Sequence, residues 1–142
     1  MKITILRPTS VYGTGLSNDS LISIFLKKAL NDDTISLSEA NNKINFIHAM
    51  DVAYASLSAY QQSTYGVFNI AAKEMTSIYD LVNITIATVG TGQIGKIYNV
   101  DEPFERFDLN CDYAKNKFKF DSKINIKNGI SAMYNNKYSL TI

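Results

Sequence analysis

The stretch Ile3-Thr4-Ile5-Leu6-Arg7-Pro8 combines β-branched and long apolar residues and then stops at Arg7-Pro8. This composition predicts a strand, and its continuous apolar character predicts that the strand is buried on both faces. A turn-rich loop, Tyr12-Gly13-Thr14-Gly15, follows soon after it. Predicted strands then alternate with predicted helices along the chain, which indicates an α/β protein.

Two later segments carry apolar residues at helical spacing behind a capping residue. The first runs from Leu21 to Leu30, with Asp19 or Ser20 as its N-cap, and stops at residues 31–33. The second begins after the capping-box pair Ser77 and Asp80 and continues to residue 89. The other predicted elements are strands at 35–37, 43–48 and 66–70, extended chain at 96–100, and helices starting at 51 and spanning 112–120 and 127–138.

The composition excludes several functional classes. The 142 residues carry a net charge of +1, which argues against nucleic acid as the main partner. No apolar run approaches the ~18 residues that a membrane span needs, so no membrane partner is expected. The single cysteine, Cys111, cannot form an internal disulfide, which favours a cytoplasmic location. The single histidine, His48, excludes a multi-histidine metal site, and no metal is expected.

Two short motifs match catalytic or cofactor-binding patterns by spacing alone. The loop from Gly90 to Gly95 fits G-x-G-x-x-G, but a dinucleotide site needs a strand before it and a helix after it. The helical period before Gly90 favours a helix C-cap instead. Tyr113 and Lys117 fit Tyr-x-x-x-Lys, yet nearby lysines make a solvated helix face the preferred interpretation.

Four segments in order resemble the C-terminal half of NAD(P)-dependent nucleotide-sugar epimerases and dehydratases, the extended short-chain dehydrogenase/reductase family. The order and spacing agree from residue 3 to about residue 81, and more weakly to residue 130. The segments are Ile5-Leu-Arg-Pro-Thr-Ser-Val-Tyr-Gly13, Phe46-Ile-His-Ala-Met-Asp-Val-Ala53, Gly66-Val-Phe-Asn-Ile70 and Thr76-Ser-Ile-Tyr-Asp-Leu81.

The resemblance implies a division of the chain and a cofactor. Residues 1–142 would form one C-terminal fragment of the family fold. Late elements of a partial Rossmann-like sheet would lie at about 1–13 and 46–70, and a small α/β substrate-binding subdomain at about 14–45 and 71–142. The family uses NAD or NADP, but its glycine motif and its catalytic Tyr-x-x-x-Lys precede the Arg-Pro strand. We therefore expect no catalytic residue in this chain and no tight cofactor binding by it alone.

The resemblance also implies binding residues, each beside a simpler structural interpretation. Ser10 could contact the nucleotide-sugar diphosphate or be a turn hydroxyl, and Arg106 could hold diphosphate or be an exposed, ion-paired arginine. Asp108 would accept a sugar or ribose hydroxyl. The cofactor-binding residues implied are Pro8, Thr9, Ser10 and Val11; the substrate-binding residues implied are Ser10, Ser20, Leu21, Arg106 and Asp108.

Three positions of the Phe46 segment bear on this site. Family members commonly have an arginine where this chain has Ile44, and the adjacent Lys43 faces the other way along a strand. His48 is expected to be a buried, hydrogen-bonded histidine rather than a catalytic one. Asp51 is expected to cap the helix that follows it.

These observations leave three functional hypotheses. The first is the nucleotide-sugar-binding portion of an NAD(P)-dependent sugar-nucleotide epimerase or dehydratase, inactive by itself. The second is an assembly or binding module that pairs with a separate N-terminal half or self-associates through exposed apolar faces. The third is a small dinucleotide-binding enzyme built on the loop from Gly90 to Gly95, which requires a strand at 84–89 and a helix from Gln93.

Overall fold

The computed structural model describes residues 2–15, 19–98 and 109–139. It contains short strands and helices in alternation, as the sequence predicts for the α/β class. The strands are β1 (Thr4–Pro8), β2 (Ser10–Tyr12), β3 (Thr34–Ser38), β4 (Lys43–Ile44), β5 (Phe46–His48), β6 (Gly66–Ile70), β7 (Thr76–Ser77) and β8 (Gln93–Tyr98). The helices are α1 (Leu21–Leu30), α2 (Ala49–Gln61), α3 (Ile78–Val89), α4 (Asp112–Phe118) and α5 (Ile126–Ser139).

The predicted first strand is confirmed, but its burial on both faces is wrong. β1 pairs in parallel with β6, with Ile5 opposite Val67. These two side chains share one sheet face and are 49% and 44% exposed. Among the described elements, β6 is the only strand that pairs with β1, and helices cover only the other face of this pair. A parallel strand is buried on both faces only where both faces have a layer packed on them.

The covered face of this sheet forms one of two hydrophobic cores. Small residues of α2 let that helix lie close to the strands, and aromatic residues of α4 fill the remaining space. Phe68 meets Phe118 edge to face, with ring centroids 5.0 Å apart. The buried members are Ile47, Ala55, Ala59, Phe68, Ile70, Ala114, Phe118 and Phe120.

The second core lies between α1, α3 and α5 and the parallel pair β3–β8. Strand β3 alternates exposed and buried residues, as expected when one face packs on helices. The buried members are Tyr12, Ile22, Phe25, Leu26, Ala29, Ile35, Leu37, Ala40, Phe46, Leu81, Val82 and Ile130. Tyr12 and Phe46 bring the short pair β2–β5 into this core.

The helix ends predicted from capping residues are confirmed. The Ser20 hydroxyl accepts a hydrogen bond from the Ser23 amide at the start of α1. At the start of α3, Ser77 accepts from the Asp80 amide, and Gly90 ends that helix in the left-handed conformation with φ of 88°. Thr85, a polar residue on the apolar stripe of α3, is buried and donates its hydroxyl proton to the Leu81 carbonyl.

The predicted strand at 43–48 is two strands separated by Asn45. Ile44 pairs antiparallel with Thr76, whereas Phe46 pairs in parallel with Ser10. The chain thus changes its strand partner at Asn45, whose side chain is buried. The sequence pattern shows only the extended conformation, because both halves are extended.

The loop from Gly90 to Gly95 has the opposite context from a phosphate-binding loop. It follows helix α3, and strand β8 begins at Gln93. Gly92, with φ of 93°, lies against Ala29, where a Cβ atom would be 3.0 Å from the Cα atom of that residue. The loop therefore joins α3 to β8, and the hypothesis of a dinucleotide-binding enzyme built on it is wrong.

Candidate functional site

The carboxyl ends of β1 and β6 lie side by side, with Pro8 opposite Ile70. In open α/β sheets, ligands bind at this edge, where backbone groups and loop side chains converge. Thr9 leaves the end of β1 and donates its amide proton to the Ile70 carbonyl, with N and O 3.0 Å apart. The parallel register therefore continues one residue beyond the sheet and holds the start of the loop.

Asn45 connects the two strand ends by its side chain. Its Oδ1 accepts from the Thr9 hydroxyl at 2.9 Å and from the Ala72 amide at 2.8 Å. Its Nδ2 donates to the Ala72 carbonyl at 2.9 Å. The sequence interpretation missed this residue, although its place directly before the Phe46 segment was visible. No local pattern indicates that an asparagine will bond to residues 36 and 27 positions away.

The four residues predicted to bind cofactor follow one another along this edge. Pro8 is the last residue of β1 and is exposed, and Thr9 is half-buried. Ser10 opens β2 and is exposed, while Val11 packs partly against the core under α2. Their contact with a cofactor stays a prediction.

The two predicted substrate-binding residues at the helix start lie on a different core. Leu21 packs against the α1–α3–α5 core. The Ser20 hydroxyl donates to the Ser23 hydroxyl at 2.8 Å, besides capping the helix. The N-terminal amides of α1 give this helix end the partial positive charge that favours anions. The remaining two predicted substrate-binding residues, Arg106 and Asp108, lie outside the described residues.

His48 is buried and hydrogen-bonded, as predicted, and it also caps α2. Its Nδ1 accepts from the Met50 amide at 3.2 Å, so the neutral imidazole carries its proton on Nε2. The ring meets the Tyr12 ring edge to face at 5.1 Å. Burial lowers the pKa of His48, and the nearby Asp51 carboxylate partly opposes that effect. His48 is thus held as a neutral structural group.

Asp51 does not cap α2, and that prediction is wrong. His48 already occupies the N-cap, and Asp51 lies inside the first turn with only 2% of its surface exposed. Its two carboxylate oxygens accept the amide protons of Lys123 and Ile124, at 3.0 and 3.1 Å. Asp51 therefore fastens the segment before α5 to the start of α2.

Tyr12 is the largest polar side chain buried near this edge. Its hydroxyl donates to the Asn125 carbonyl at 3.3 Å. Burial, with the charge of Asp51 as the second cause, raises the pKa of Tyr12 well above that of an ordinary phenol. The side chain therefore keeps its proton and acts as packing for α5, whose Gly129 lies against the ring.

Tyr113 and Lys117 lie on one face of α4 without a site around them. The Tyr113 ring stacks on Phe68 at 4.8 Å and is about half exposed. The Lys117 ammonium lies 5.7 Å from the Tyr113 ring centroid, and its residue is exposed. This geometry agrees with the solvated helix face that the sequence favours.

A cavity of about 340 Å³ lies between the chain after β6 and the segment before α5. Lys73 and Lys123 at its rim both pair with Asp121, at 2.8 and 2.6 Å. Hydrogen bonds from these two lysines lower the pKa of the Asp121 carboxyl to about 2. Its lining residues are Phe46, Ala72, Lys73, Glu74, Thr76, Ser122, Lys123, Ile124, Asn125 and Ile126.

Two negative findings apply to residues 2–15, 19–98 and 109–139. In these ranges, no group of three or more His, Cys, Asp or Glu side chains could hold a metal ion. The helices within the same ranges are all too short or too polar to cross a bilayer.

The chain is similar to known proteins in sequence over somewhat less than two thirds of its length. It is 29% identical over 93 residues to a dTDP-4-dehydro-6-deoxy-D-allose reductase from a Streptomyces species, and 30% identical to one from Streptomyces bikiniensis. Each match covers 62% of this chain and 28% of the relative. The chain therefore spans well under half the length of these curated relatives.

The similarity of fold extends over nearly the whole chain. The UDP-glucuronic acid 4-epimerase of Bacillus cereus, solved with UDP-glucuronic acid and NAD, matches with a TM-score of 0.84 and 21% identity. The match covers 99% of this chain and 46% of that one. The UDP-glucose 4-epimerase of Thermotoga maritima, solved with UDP-glucose, matches with a TM-score of 0.82 and 19% identity, over 100% of this chain and 48% of that one.

These similarities agree with a match to a family model. The model of the NAD dependent epimerase/dehydratase family covers residues 1–71, which is half of the 142-residue chain. That range includes β1, β2, β5, α2 and β6, the elements that form the edge described above. The protein therefore belongs to the NAD dependent epimerase/dehydratase family.

Proposed function

We propose that this chain is the nucleotide-sugar-binding portion of an NAD(P)-dependent sugar-nucleotide epimerase or dehydratase. The observation that carries the proposal is the paired carboxyl end of β1 and β6, where Thr9 is held at two points. The solved relatives contain UDP-sugars or NAD, which belong to the same chemical classes as the substrate and the cofactor proposed for this chain. The cytoplasmic location expected from the single cysteine, Cys111, belongs to this proposal.

The binding residues follow from this proposal. Ser10 is exposed at the sheet edge, and Ser20 and Leu21 begin a helix whose N-terminal partial positive charge suits a diphosphate. Arg106 and Asp108 complete the proposed substrate contacts by a guanidinium fork and a hydroxyl acceptor. Residues 8–11 are proposed to contact the cofactor by their backbone.

Residues 8–11 are proposed to contact the cofactor, but the described residues offer no binding loop for its pyrophosphate. When bound, NAD(P) supplies hydride transfer to and from the sugar. The Gly90–Gly95 loop enters a strand and cannot present helix amides to a pyrophosphate. Tyr12 is kept protonated by burial, and Tyr113 stacks on Phe68 and does not line the cavity between the chain after β6 and the segment before α5. The chain by itself is therefore proposed to be inactive and to bind the cofactor weakly.

Two titrations test this proposal. Addition of UDP-glucose to the ¹⁵N-labelled chain should move the amide signals of Ser10, Ser20 and Leu21. Addition of NADH should leave the nucleotide fluorescence and the thermal midpoint of the chain nearly unchanged at micromolar concentrations. Stoichiometric binding of NADH by the isolated chain would contradict the proposal, and so would a UDP-glucose titration without any shift at these amides.

A second candidate function is an assembly module that pairs with an N-terminal half or with itself. Helix α2 favours it, because its only charged residue, Asp51, is buried. The outer surface of α2 carries Met50, Tyr54, Leu57 and Tyr60, the last 83% exposed. Surface helices usually present charged residues to water, so an uncharged outer face suits contact with another helix.

The sheet beside α2 supports the same candidate. Ile3, Ile5 and Val67 leave the outer face of the β1–β6 pair apolar, and each is between 44% and 51% exposed. Two parallel strands with one bare face are marginal in water, because such sheets are normally covered on both sides. Light scattering at increasing concentration tests this candidate. Growth of the mean mass would support it, and a clean monomer at high concentration would contradict it.

A further inference from the structure

Asn45 has an unusual position at the point where the chain changes its strand partner. The preceding residue, Ile44, belongs to the antiparallel pair with β7, and the following one, Phe46, to the parallel pair with β2. The Asn45 side chain is only 9% exposed. A buried amide is costly unless its polar atoms are hydrogen-bonded, so its partners determine what the residue does.

The hydrogen bonds of Asn45 determine the orientation of its amide. The carboxamide exchanges two hydrogen bonds with the backbone of Ala72, as donor to the carbonyl and as acceptor from the amide. A flipped carboxamide would place donor against donor and acceptor against acceptor. Oδ1 is therefore fixed on the side where Thr9 donates its hydroxyl proton.

The hydrogen bond between Asn45 and Thr9 restrains the backbone next to Ser10, the residue that is proposed to contact the diphosphate. Thr9 lies between the end of β1 and the start of β2, and its amide also donates to the Ile70 carbonyl. Ser10, the next residue, is exposed at the edge where ligands of α/β sheets bind. Two anchors on Thr9 limit the freedom of the Ser10 backbone before any ligand arrives, which lowers the entropic cost of binding.

We propose that Asn45 is a positioning residue that acts through Thr9 to hold Ser10 in place for the diphosphate of a nucleotide-diphosphate sugar. This inference rests on the proposed function, which supplies the ligand. The Asn45 carboxamide uses both its oxygen and its nitrogen in hydrogen bonds to Thr9 and Ala72, in the two loops that follow β1 and β6. Its effect on the ligand is therefore indirect, through the geometry of one loop.

Three single variants and one double variant separate this role from simple stability. Thr9→Val removes the hydroxyl that donates to Asn45 Oδ1 and leaves the hydrogen bonds between Asn45 and Ala72 in place. Asn45→Ala removes all three bonds. Asn83→Ala, an exposed asparagine on α3, is the matched control. If Asn45 acts through Thr9, the double variant Asn45→Ala/Thr9→Val weakens ligand binding by less than the two single effects combined.

The readouts are amide hydrogen exchange and a UDP-glucose titration of each variant. In Thr9→Val, exchange at Thr9 and Ser10 should rise about ten-fold, while Leu81 and Val82 in the other core keep their rates. The UDP-glucose dissociation constant should rise roughly five-fold, the size of one lost hydrogen bond. Asn83→Ala should change neither quantity.

Each outcome decides the proposal. Unchanged exchange at Thr9 and Ser10 in Thr9→Val would overturn it, and so would faster exchange with an unchanged UDP-glucose midpoint. If the unsubstituted chain gives no shift with UDP-glucose, the proposed function fails. The exchange rates then decide alone whether Asn45 positions Ser10. Additive effects of Asn45→Ala and Thr9→Val in the double variant would also overturn the proposal. If Asn45→Ala does not fold, Thr9→Val still decides, because it breaks the same bond between Thr9 and Asn45.

Discussion

Two regions of this chain differ in how completely they bury their apolar residues. The closed region, made of α1, α3, α5 and the β3–β8 pair, surrounds its core with elements of the chain itself. The open region, made of β1, β6, α2 and α4, buries one sheet face and leaves Ile5 and Val67 of the other face exposed. The exposed residues of β3 are Thr34, Ser36 and Ser38, whereas the exposed face of the β1–β6 pair carries apolar side chains.

The difference teaches that burial depends on the neighbours that an element has. An apolar strand is buried on both faces only if two layers pack on it. In the described residues, β1 has one strand partner and one covered face. The open region therefore leaves one apolar sheet face exposed, while the core of the closed region is enclosed between its helices and the β3–β8 pair.

Removal of the Asp51 carboxylate should lower the stability of the chain more than the other substitutions do. Asp51 joins α2 of the open region to the segment that precedes α5. Asp51→Ala leaves the amides of Lys123 and Ile124 without their acceptor, the carboxylate of a residue that is only 2% exposed. We expect a loss of roughly 3 kcal/mol in the free energy of unfolding, measured by urea titration. Asp51→Asn keeps one oxygen acceptor and should lose about half as much. Equal stability of all three proteins would show that the regions are joined by other contacts.

Gly129→Ala should disturb the closed region by overpacking. A Cβ atom at this position would come within 2.6 Å of the ring carbons Cε2 and Cζ of the buried Tyr12. The expected loss is about 2 kcal/mol, since the higher helix propensity of alanine offsets only part of the clash. The neighbouring exposed variant Asn128→Ala should stay within about 0.5 kcal/mol. A Gly129→Ala protein as stable as this control would contradict close packing of α5 on Tyr12.

The stability of the chain should fall in mildly acidic solution because of His48. Its pKa is lowered in the folded protein, so the unfolded chain binds a proton first as the pH decreases. The stability from neutral His48 is complete above the unfolded pKa of about 6.5 and is lost as the pH falls toward the folded value.

Urea midpoints between pH 7.5 and pH 5 measure this effect. His48 is the only histidine of the chain, so the slope in that range reports mainly on it. His48→Asn can still cap α2 but does not titrate, and it should flatten the profile. An unchanged slope in this variant would assign the effect to other groups.

The smallest effect on stability, and the sharpest on assembly, is expected for Leu57→Lys on the outer face of α2. Leu57 is half exposed, so its replacement should change the free energy of unfolding by no more than about 0.5 kcal/mol. A charge at the centre of an apolar contact should, in contrast, prevent association detected by light scattering. Tyr79→Lys, at an exposed position on α3 of the closed region, is the control and should leave association unchanged. The reverse result would place the interface in the closed region.

Several elements could be predicted because their signals are local. Ser20 and Ser77 cap helices by bonding amides three residues ahead, and Gly90 ends α3 because it adopts positive φ at little cost. The candidate site was predictable only in part: the segment from Pro8 to Val11 was identified by resemblance, whereas Asn45 was not.

The errors arise where distant residues meet. The Asp51 carboxylate was expected to bond to its own helix, but it accepts amides 72 and 73 residues later in the chain. His48 was expected to be only a buried residue, yet it caps α2. By local capping rules, either His48 or Asp51 can cap α2. The segment before α5 bonds to Asp51 and leaves His48 as the cap.

By itself, the sequence determined the positions of most helices and strands, the α/β class and the resemblance to a family. These follow from periodicity, capping residues and short motifs, all of which act within a few positions of the chain. The tertiary structure alone decided that one face of β1 is exposed, that Asn45 joins the ends of two strands, and that Gly129 lies on Tyr12. Such contacts depend on which elements lie side by side, and local sequence patterns do not predict which element packs against a given strand.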